Sequence, residues 1–178
     1  MKAVLSSLLL LTVLLGCDAE SDFSTDQPVI IATTAPAGPI QIHESFYRNI
    51  ALYEDGRVNV YSTEENDGDI DPKAPIIEVQ IVPEQVQQVK KSITDHSFHT
   101  LTEDLSTNSE DGRFAYLTVN YTDHSKSVGG LNPDHQAFLE IQDEVMEVIP
   151  DGVYKKWLEE TMNYMMEKEE NAHKDVGE

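Results

Sequence analysis

The residues best suited to chemistry are the carboxylates between positions 64 and 71. The run Glu-Glu-Asn-Asp-Gly-Asp-Ile-Asp puts Asp67, Asp69 and Asp71 at alternate positions. Calcium takes about six to eight oxygen ligands, so such a loop could hold it. With the loop's glycine at the sixth EF-hand position, however, Ala74 stands where the bidentate glutamate belongs. A solvated acidic loop is the favoured interpretation, because charge runs usually face water.

Two histidines could supply nitrogen ligands for a metal. His96 and His99 are three residues apart at the end of a predicted helix and could share one face as zinc ligands. No glutamate lies between them as in zinc proteases. Surface or capping histidines are favoured, because imidazolium also suits a helix C-terminus. With carboxylates from residues 64–71, the pair defines an alternative hypothesis, a metal-assisted hydrolase.

Other catalytic patterns are missing from the sequence. No serine has a Gly-x-Ser-x-Gly setting. The run from Val128 to Asn132 contains two glycines, but it lacks Gly-x-Gly-x-x-Gly spacing and the lysine of a phosphate-binding loop. We expect a tight turn there, and we predict no catalytic residue and no cofactor.

Aromatic side chains are the remaining candidates for a binding surface. They fall in or near predicted elements, at Tyr47, Tyr53, Tyr61, Tyr116, Tyr121 and Trp157. Aromatic residues contribute much of the energy of interfaces. At alternate strand positions they are equally suited to cover a half-exposed sheet, so both interpretations stay open.

The single cysteine lies at the end of an apolar leader. Lys2 is the only charge before Asp18, and residues 3–16 form an apolar run. The run is shorter than the about 20 residues that span a bilayer. A positive start, a short apolar core and a small residue at its end are typical of a secretory signal peptide, here residues 1–16.

The tetrapeptide Leu14-Leu15-Gly16-Cys17 resembles the lipobox of bacterial lipoproteins. The resemblance implies cleavage after Gly16 and acylation of Cys17 by diacylglycerol and a further chain such as palmitate. Several acyl chains hold a protein stably on a membrane, whereas one does so only marginally. The alternatives are a plain signal peptide with a chance cysteine, or a buried free cysteine.

The residue after the cysteine bears on sorting. Asp18 resembles the aspartate that directly follows the lipidated cysteine in enterobacterial lipoproteins and retains them in the inner membrane. The outer membrane is the alternative. In either case, the resemblance implies a domain that is anchored in the bacterial cell envelope and faces the periplasm.

The charge of the chain excludes several partners. The 178 residues include 33 acids and 12 bases, for a net charge of −21. Loss of residues 1–16 removes the positive Lys2 and takes the net charge to −22. Nucleic acids and anionic lipids need a basic surface, so neither is expected to bind. One cysteine also excludes an intramolecular disulfide.

After the leader, residues 17–37 are predicted to be the lipidated cysteine and a flexible tether, because acids, small polar residues and prolines predominate. Residues 38–166 are predicted to be one domain and residues 167–178 a frayed polar tail. The predicted fold is α+β. An antiparallel sheet of about five strands is packed on one face by about three helices, in strand–strand–helix units.

Turn residues divide the predicted sheet into hairpins. Glu-Asp-Gly-Arg occurs at 54–57 and 110–113, and each copy opens a strand. A three-residue loop with a left-handed Gly56 would pair Leu52 with Val58 and put the apolar residues of both strands on one face. We prefer that register to a two-residue turn. Alternation further on predicts a strand ending at Tyr121.

Apolar spacing predicts the helices. The first begins at Pro83, and its buried stripe is Val86, Val89 and Ile93. The second begins at Pro133 after a cap at Asn132, and it buries Phe138, Ile141, Val145 and Val148. The third follows residues 150–152, and its predicted inner face is Tyr154, Trp157, Leu158, Thr161 and Met165.

From about residue 40 to 165 the order of elements resembles small uncharacterised bacterial envelope domains. The shared features are the strand–Asp-Gly–strand opening and a Phe-x-x-Leu step after the helix, here Phe98 and Leu101. The resemblance implies a layout and no activity. The function predicted from the sequence is a lipid-anchored interaction or ligand-binding module, with an envelope protein or a small ligand as its partner.

Overall fold

The computed structural model describes residues 22–37, 46–64, 74–109 and 111–175. They form the predicted α+β fold, with six strands in the antiparallel sheet rather than about five. The strands are β1 (Ile30–Ala37), β2 (Phe46–Leu52), β3 (Arg57–Glu64), β4 (Ile77–Gln80), β5 (Gly112–Asn120) and β6 (Ser125–Leu131). The helices are α1 (Pro83–Asp95), α2 (Gln136–Glu147) and α3 (Val153–Asp175). The strand order across the sheet is β4-β3-β2-β1-β5-β6.

The prediction that residues 17–37 form a flexible tether is wrong for residues 22–37. β1 lies at the centre of the sheet, where it pairs with both β2 and β5. Before it, Phe23 forms an antiparallel bridge with Tyr121. The segment looks polar, but isoleucine and threonine suit a strand, and a central strand is stabilised by two neighbours.

The hairpin of β2 and β3 has the predicted register. Leu52 pairs with Val58 and Ile50 with Val60. Gly56 has a φ of +82°, the left-handed conformation that the three-residue loop requires. Its carbonyl accepts a hydrogen bond from the backbone N–H of Ile81 at 2.9 Å, which ties the turn to the segment before α1.

One face of the sheet is apolar and carries the helices. A row across the strands contains Ala32, Ile50, Val60, Ile77, Leu117 and Val128. These residues share one buried cluster with side chains from all three helices. Full burial of a large aliphatic side chain contributes about 1.5–3 kcal/mol, so this layer provides most of the driving force for folding.

The first helix and its exit follow the sequence prediction. α1 begins at Pro83 and buries Val86, Val89 and Ile93. Phe98 is fully buried under its end, and Leu101 packs against the same core.

The two glycines of the predicted tight turn lie in β6 instead. At Gly129 and Gly130, residues 103–107 run alongside the strand, with hydrogen bonds between Gly129 and both Glu103 and Leu105. A Cβ on Gly130 would lie 2.8 Å from the backbone nitrogen of Ser106. Glycine is needed here because a neighbouring segment approaches the strand closely.

The predicted cap of the second helix is also wrong. α2 begins at Gln136, and Asn132 has a φ of +47°. The Asn132 side chain accepts a hydrogen bond from the N–H of Arg113 and donates one to the carbonyl of Asp111, at 2.8 and 2.7 Å. Asparagine tolerates the left-handed region and bonds readily to nearby backbone, so it joins the end of β6 to the start of β5 instead. The buried face of α2 is as predicted, with Phe138, Ile141, Val145 and Val148 in the core.

The third helix is longer than predicted and is rotated from the expected face. It continues to Asp175, so residues 167–175 are helical rather than frayed. Its inner row is Val153, Trp157, Thr161 and Met165, whereas Tyr154 and Leu158 are exposed. The predicted face mixed two rows that lie one residue, or about 100°, apart on the helix. The indole N–H of Trp157 donates to the Ser62 hydroxyl at 3.1 Å and so holds α3 on β3.

Candidate anion-binding site

A pocket of about 310 Å³ lies on the helix side of the sheet, where β1, β2 and β5 meet α2. Its polar lining residues are Thr34, Arg48, Arg113, Asn132, Gln142 and Asp143. Two arginines in one concavity are notable in a chain with 12 basic and 33 acidic residues.

The alternation of β2 directs Arg48 towards the helices. Side chains two residues apart in a strand share a face, and Ile50 and Leu52 face the core. Arg48 therefore points to the same side, opposite Thr34 of β1 and Ser62 of β3. This row is polar and marks the border of the apolar layer.

The guanidinium of Arg48 is held by aromatic rings. Its central carbon lies 4.9 Å from the ring centroid of Tyr154 and 6.0 Å from that of Trp157. Such cation–π contacts orient a guanidinium and leave other N–H groups to bond elsewhere. Within the described part of the chain, the buried Nε atom of Arg48 has no hydrogen-bond partner. An unpartnered buried N–H is costly and is satisfied well by an anion.

A second positive charge lies close to the first. Arg113 pairs with Pro36 in the β1–β5 register and shares the face of Ala115. Burial lowers the pKa of Arg48, and the charge of Arg113 lowers it further against the opposing effect of Tyr154. The two guanidinium groups therefore repel each other in the folded protein.

No described carboxylate neutralises this pair. Ion pairs in the described ranges involve Arg57, Lys90, Lys91, His96, His124 and Lys156, but neither Arg48 nor Arg113. Asp143 lines the pocket without coming within ion-pair distance of either arginine. The arrangement can bind an anion by charge and by hydrogen bonds, and the described lining contains no serine, cysteine or histidine nucleophile.

A larger groove of about 650 Å³ lies beside α1, but its two lysines are already paired. Lys90 Nζ is 2.9 Å from a carboxylate oxygen of Glu54 and 5.0 Å from the ring centroid of Phe23. Lys91 pairs with Asp95. This groove is therefore a weaker candidate for binding a charged ligand than the Arg48 pocket.

The predicted metal ligands do not form a site in the described residues. His96 is the C-cap residue of α1; its Nε2 lies 2.5 Å from a carboxylate oxygen of Glu140. The side chain of His99 is exposed, and its carbonyl accepts a hydrogen bond from Lys126. Among the described residues, no three His, Cys, Asp or Glu side chains are grouped to hold a metal ion. The other predicted site residues lie outside the described ranges, namely Gly16, Cys17, Asp18, Asp67, Asp69 and Asp71.

The predicted aromatic surface is divided by the fold. Tyr121 and Trp157 are buried in the core, and Tyr53 lies under the guanidinium of Arg57. The register puts Tyr47, Tyr61 and Tyr116 on the sheet face opposite the helices. Each of these three side chains is half-buried, in agreement with the interpretation that they cover the sheet.

Sequence reasoning missed the Arg48 pocket, although a signal was present. In a strand, Arg48 shares a face with the apolar residues Ile50 and Leu52. A charged residue on a face that points to the core is unusual. The sequence does not indicate that Arg113 lies near Arg48, because this proximity depends on β1 lying between β2 and β5.

No protein-family model matches the chain, and no curated protein matches it in sequence. None of the helices within the described residues combines the length and the apolar character needed to cross a bilayer.

Proposed function

We propose that this protein is a lipid-anchored module of the bacterial cell envelope that binds a small anionic ligand in the Arg48 pocket. The observation that carries the binding proposal is the buried and unpartnered Nε of Arg48, close to the like charge of Arg113. An anion in the pocket would supply the missing acceptor and relieve the repulsion.

The chemistry of arginine defines the class of ligand. A guanidinium presents a planar fork of N–H donors that matches a carboxylate or a phosphate group. A volume of about 310 Å³ suits a small molecule. The surrounding chain is strongly acidic, so ligands are selected by this local positive site rather than by the overall field.

The leader supports the location. Cys17 follows a positive residue and an apolar run in the lipobox-like sequence Leu14-Leu15-Gly16-Cys17. Acylation there would hold the domain at the membrane on its periplasmic side. Asp18 favours the inner membrane, with the outer membrane as the alternative.

The anchor is tested by labelling with palmitate in cells. Wild-type protein should take up label, and Cys17→Ser should accumulate as an unlabelled, unprocessed precursor. A control variant, Ser21→Ala, should be labelled as wild type. Normal labelling of Cys17→Ser would refute the anchor and leave the pocket proposal intact.

Ligand binding is tested with succinate and inorganic phosphate as separate probes in a low-chloride buffer. The melting temperature of the purified protein should rise with one or both, because a ligand that binds only the folded state stabilises it. Arg48→Met should abolish the rise. Arg57→Met removes an arginine of similar aromatic setting outside the pocket and should keep it.

The two probes distinguish a carboxylate ligand from a phosphate ligand. No response of the wild type to either probe would contradict the proposal, and so would an equal response of Arg48→Met. The metal-assisted hydrolase stays a prediction from the sequence. It requires bound zinc or calcium in the purified protein and a melting temperature that falls with EDTA.

A further inference from the structure

α3 carries a continuous apolar row on its outer side. Tyr154, Leu158, Met162 and Met166 follow one another at four-residue spacing and are 51%, 40%, 44% and 58% exposed. The row extends about 18 Å along the helix. Large apolar side chains that are contiguous and exposed typically mark an interaction surface. We call these four residues the outer row.

We propose that the outer row binds the outer row of a second copy of this chain, with the two α3 helices antiparallel about a two-fold axis. A two-fold interface needs one patch that complements itself. An antiparallel arrangement centred at position 160 puts Tyr154 opposite Met166 and Leu158 opposite Met162 of the partner helix. Rows at four-residue spacing also form the ridges that interlock when helices pack. This proposal goes beyond ligand binding and does not depend on it.

The charges beside the outer row select the partner and its direction. The flanking row is Lys155, Glu159, Asn163 and Glu167, and all four residues are exposed. In the antiparallel arrangement centred at position 160, Lys155 is level with position 165 of the other copy, between Asn163 and Glu167, so it can pair with Glu167. A parallel arrangement would instead separate Lys155 of one copy from Glu167 of the other by about 18 Å along the helices. The opposite charges of Lys155 and Glu167 therefore favour the antiparallel direction, because complementary charges fix the register of an interface.

Two lysines at the start of α3 are consistent with an acidic residue that a second copy of the chain brings close to them. Lys155 and Lys156 lie in the first turn of α3, where the helix dipole disfavours cations. Lys156 is 3.8 Å from Glu160 in its own helix. Lys155 forms no ion pair among those found in the described residues, and the antiparallel partner would provide Glu167 for it.

Cysteine crosslinking tests the geometry in the full chain. Leu158→Cys and Met162→Cys lie two residues from the proposed axis, so the two copies of each are offset by about 6 Å along the helices. A short bismaleimide should therefore link each to its own copy. Tyr154→Cys and Met166→Cys are offset by about 18 Å and should crosslink poorly. The parent chain, with Cys17 alone, provides the background.

Charge reversal tests the pairing independently of the crosslinker. Lys155→Glu and Glu167→Lys should each weaken dimerisation by about fivefold, because two symmetric exposed ion pairs are lost. The double variant should restore wild-type dimerisation, as measured by sedimentation equilibrium. Lys126→Glu, outside α3, is the matched control. A cooperative thermal transition would show that each variant is folded.

Three results would overturn the proposal. The wild type could sediment as a monomer at about 100 μM, a concentration at which even weak specific pairs associate. All four cysteine variants could crosslink equally, which would indicate parallel helices. The crosslinks could instead join the outer row to a different protein, which would make that protein the occupant.

Discussion

At the scale of single residues, the unusual feature is a half-buried arginine, Arg48, that the fold leaves without an anionic partner among the described residues. Arg48 keeps its charge in a setting that lowers its pKa, and the nearby Arg113 makes that setting less favourable. A residue kept in this state costs folding free energy, and such costs are commonly tolerated at binding sites.

Replacing Arg48 with methionine should therefore leave the ligand-free protein as stable as wild type, or make it more stable. Methionine keeps much of the volume against Tyr154 and Trp157 and removes the desolvated charge. The free energy of unfolding from urea titration should not fall by more than about 0.5 kcal/mol. A loss of several kcal/mol would mean that Arg48 is a structural residue with a partner in the fold.

The contact of Glu140 with His96 predicts that the stability of the fold depends on pH. A hydrogen bond from Gln136, and then the contact with His96, lower the pKa of Glu140. A carboxylate whose folded pKa is depressed stabilises the fold above its unfolded pKa and loses that contribution as pH falls through the folded pKa. Glu140→Gln should therefore be less stable than wild type at neutral pH, with the difference vanishing in acid.

The measurement is urea unfolding of both proteins at a series of pH values. Glu147→Gln is the matched control, because it removes one exposed carboxylate from the same helix without removing an ion pair found among the described residues. A difference between wild type and Glu140→Gln that persists at the lowest pH would show that the contribution is not electrostatic.

At the scale of elements, turns and close approaches position the strands that form the site. The Gly56 turn sets the register of β2 against β3, and this register puts Arg48 on the helix side. The Cβ of any other residue at Gly56 would lie 2.6 Å from the carbonyl oxygen of Ile81. The turn thus requires glycine for two reasons, namely its positive φ and the close approach of the Ile81 carbonyl group.

Gly56→Ala should destabilise the protein by about 2–4 kcal/mol, because it combines a left-handed residue with a backbone clash. Gly152 offers a matched control. Its φ is +85°, but a Cβ there would meet nothing within 4 Å. Gly152→Ala should cost only about 1 kcal/mol, for the conformation alone. Equal losses in thermal or urea unfolding would show that the contact with Ile81 has no effect.

At the scale of the whole molecule, the N-terminal segment completes the sheet. β1 joins the β2–β3–β4 part to the β5–β6 part and has described pairings along both of its edges. Asn120 binds the same segment, with its side chain donating to the carbonyl of Pro28 at 2.7 Å. Without β1, the apolar face would be divided and two strand edges would be exposed.

A chain that starts at residue 38, the predicted domain boundary, should therefore not fold, whereas one that starts at residue 22 should. Circular dichroism and urea unfolding of the two chains provide the comparison, and a cooperative transition is expected only from the longer one. Cooperative unfolding of the shorter chain would mean that β1 is dispensable, as the tether prediction supposed.

The local sequence was sufficient to predict much of the architecture. The parity of Leu52 and Val58 and the Asp-Gly turn predicted the β2–β3 register, and Pro83 with its apolar spacing predicted α1. These elements depend on contacts between residues close in the chain or on simple periodicity. The leader and Cys17 likewise provide a prediction from local sequence alone, to be tested by labelling.

Only the tertiary structure decided where β1 lies and what surrounds Arg48. β1 has a weak pattern of its own and forms a strand because β2 and β5 pair with both its edges. The same pairing brings Arg48 and Arg113 into one pocket although they are distant in sequence. Likewise, the side of α3 that is buried follows from the contact of Trp157 with Ser62. Such arrangements arise from long-range contacts, which no local pattern encodes.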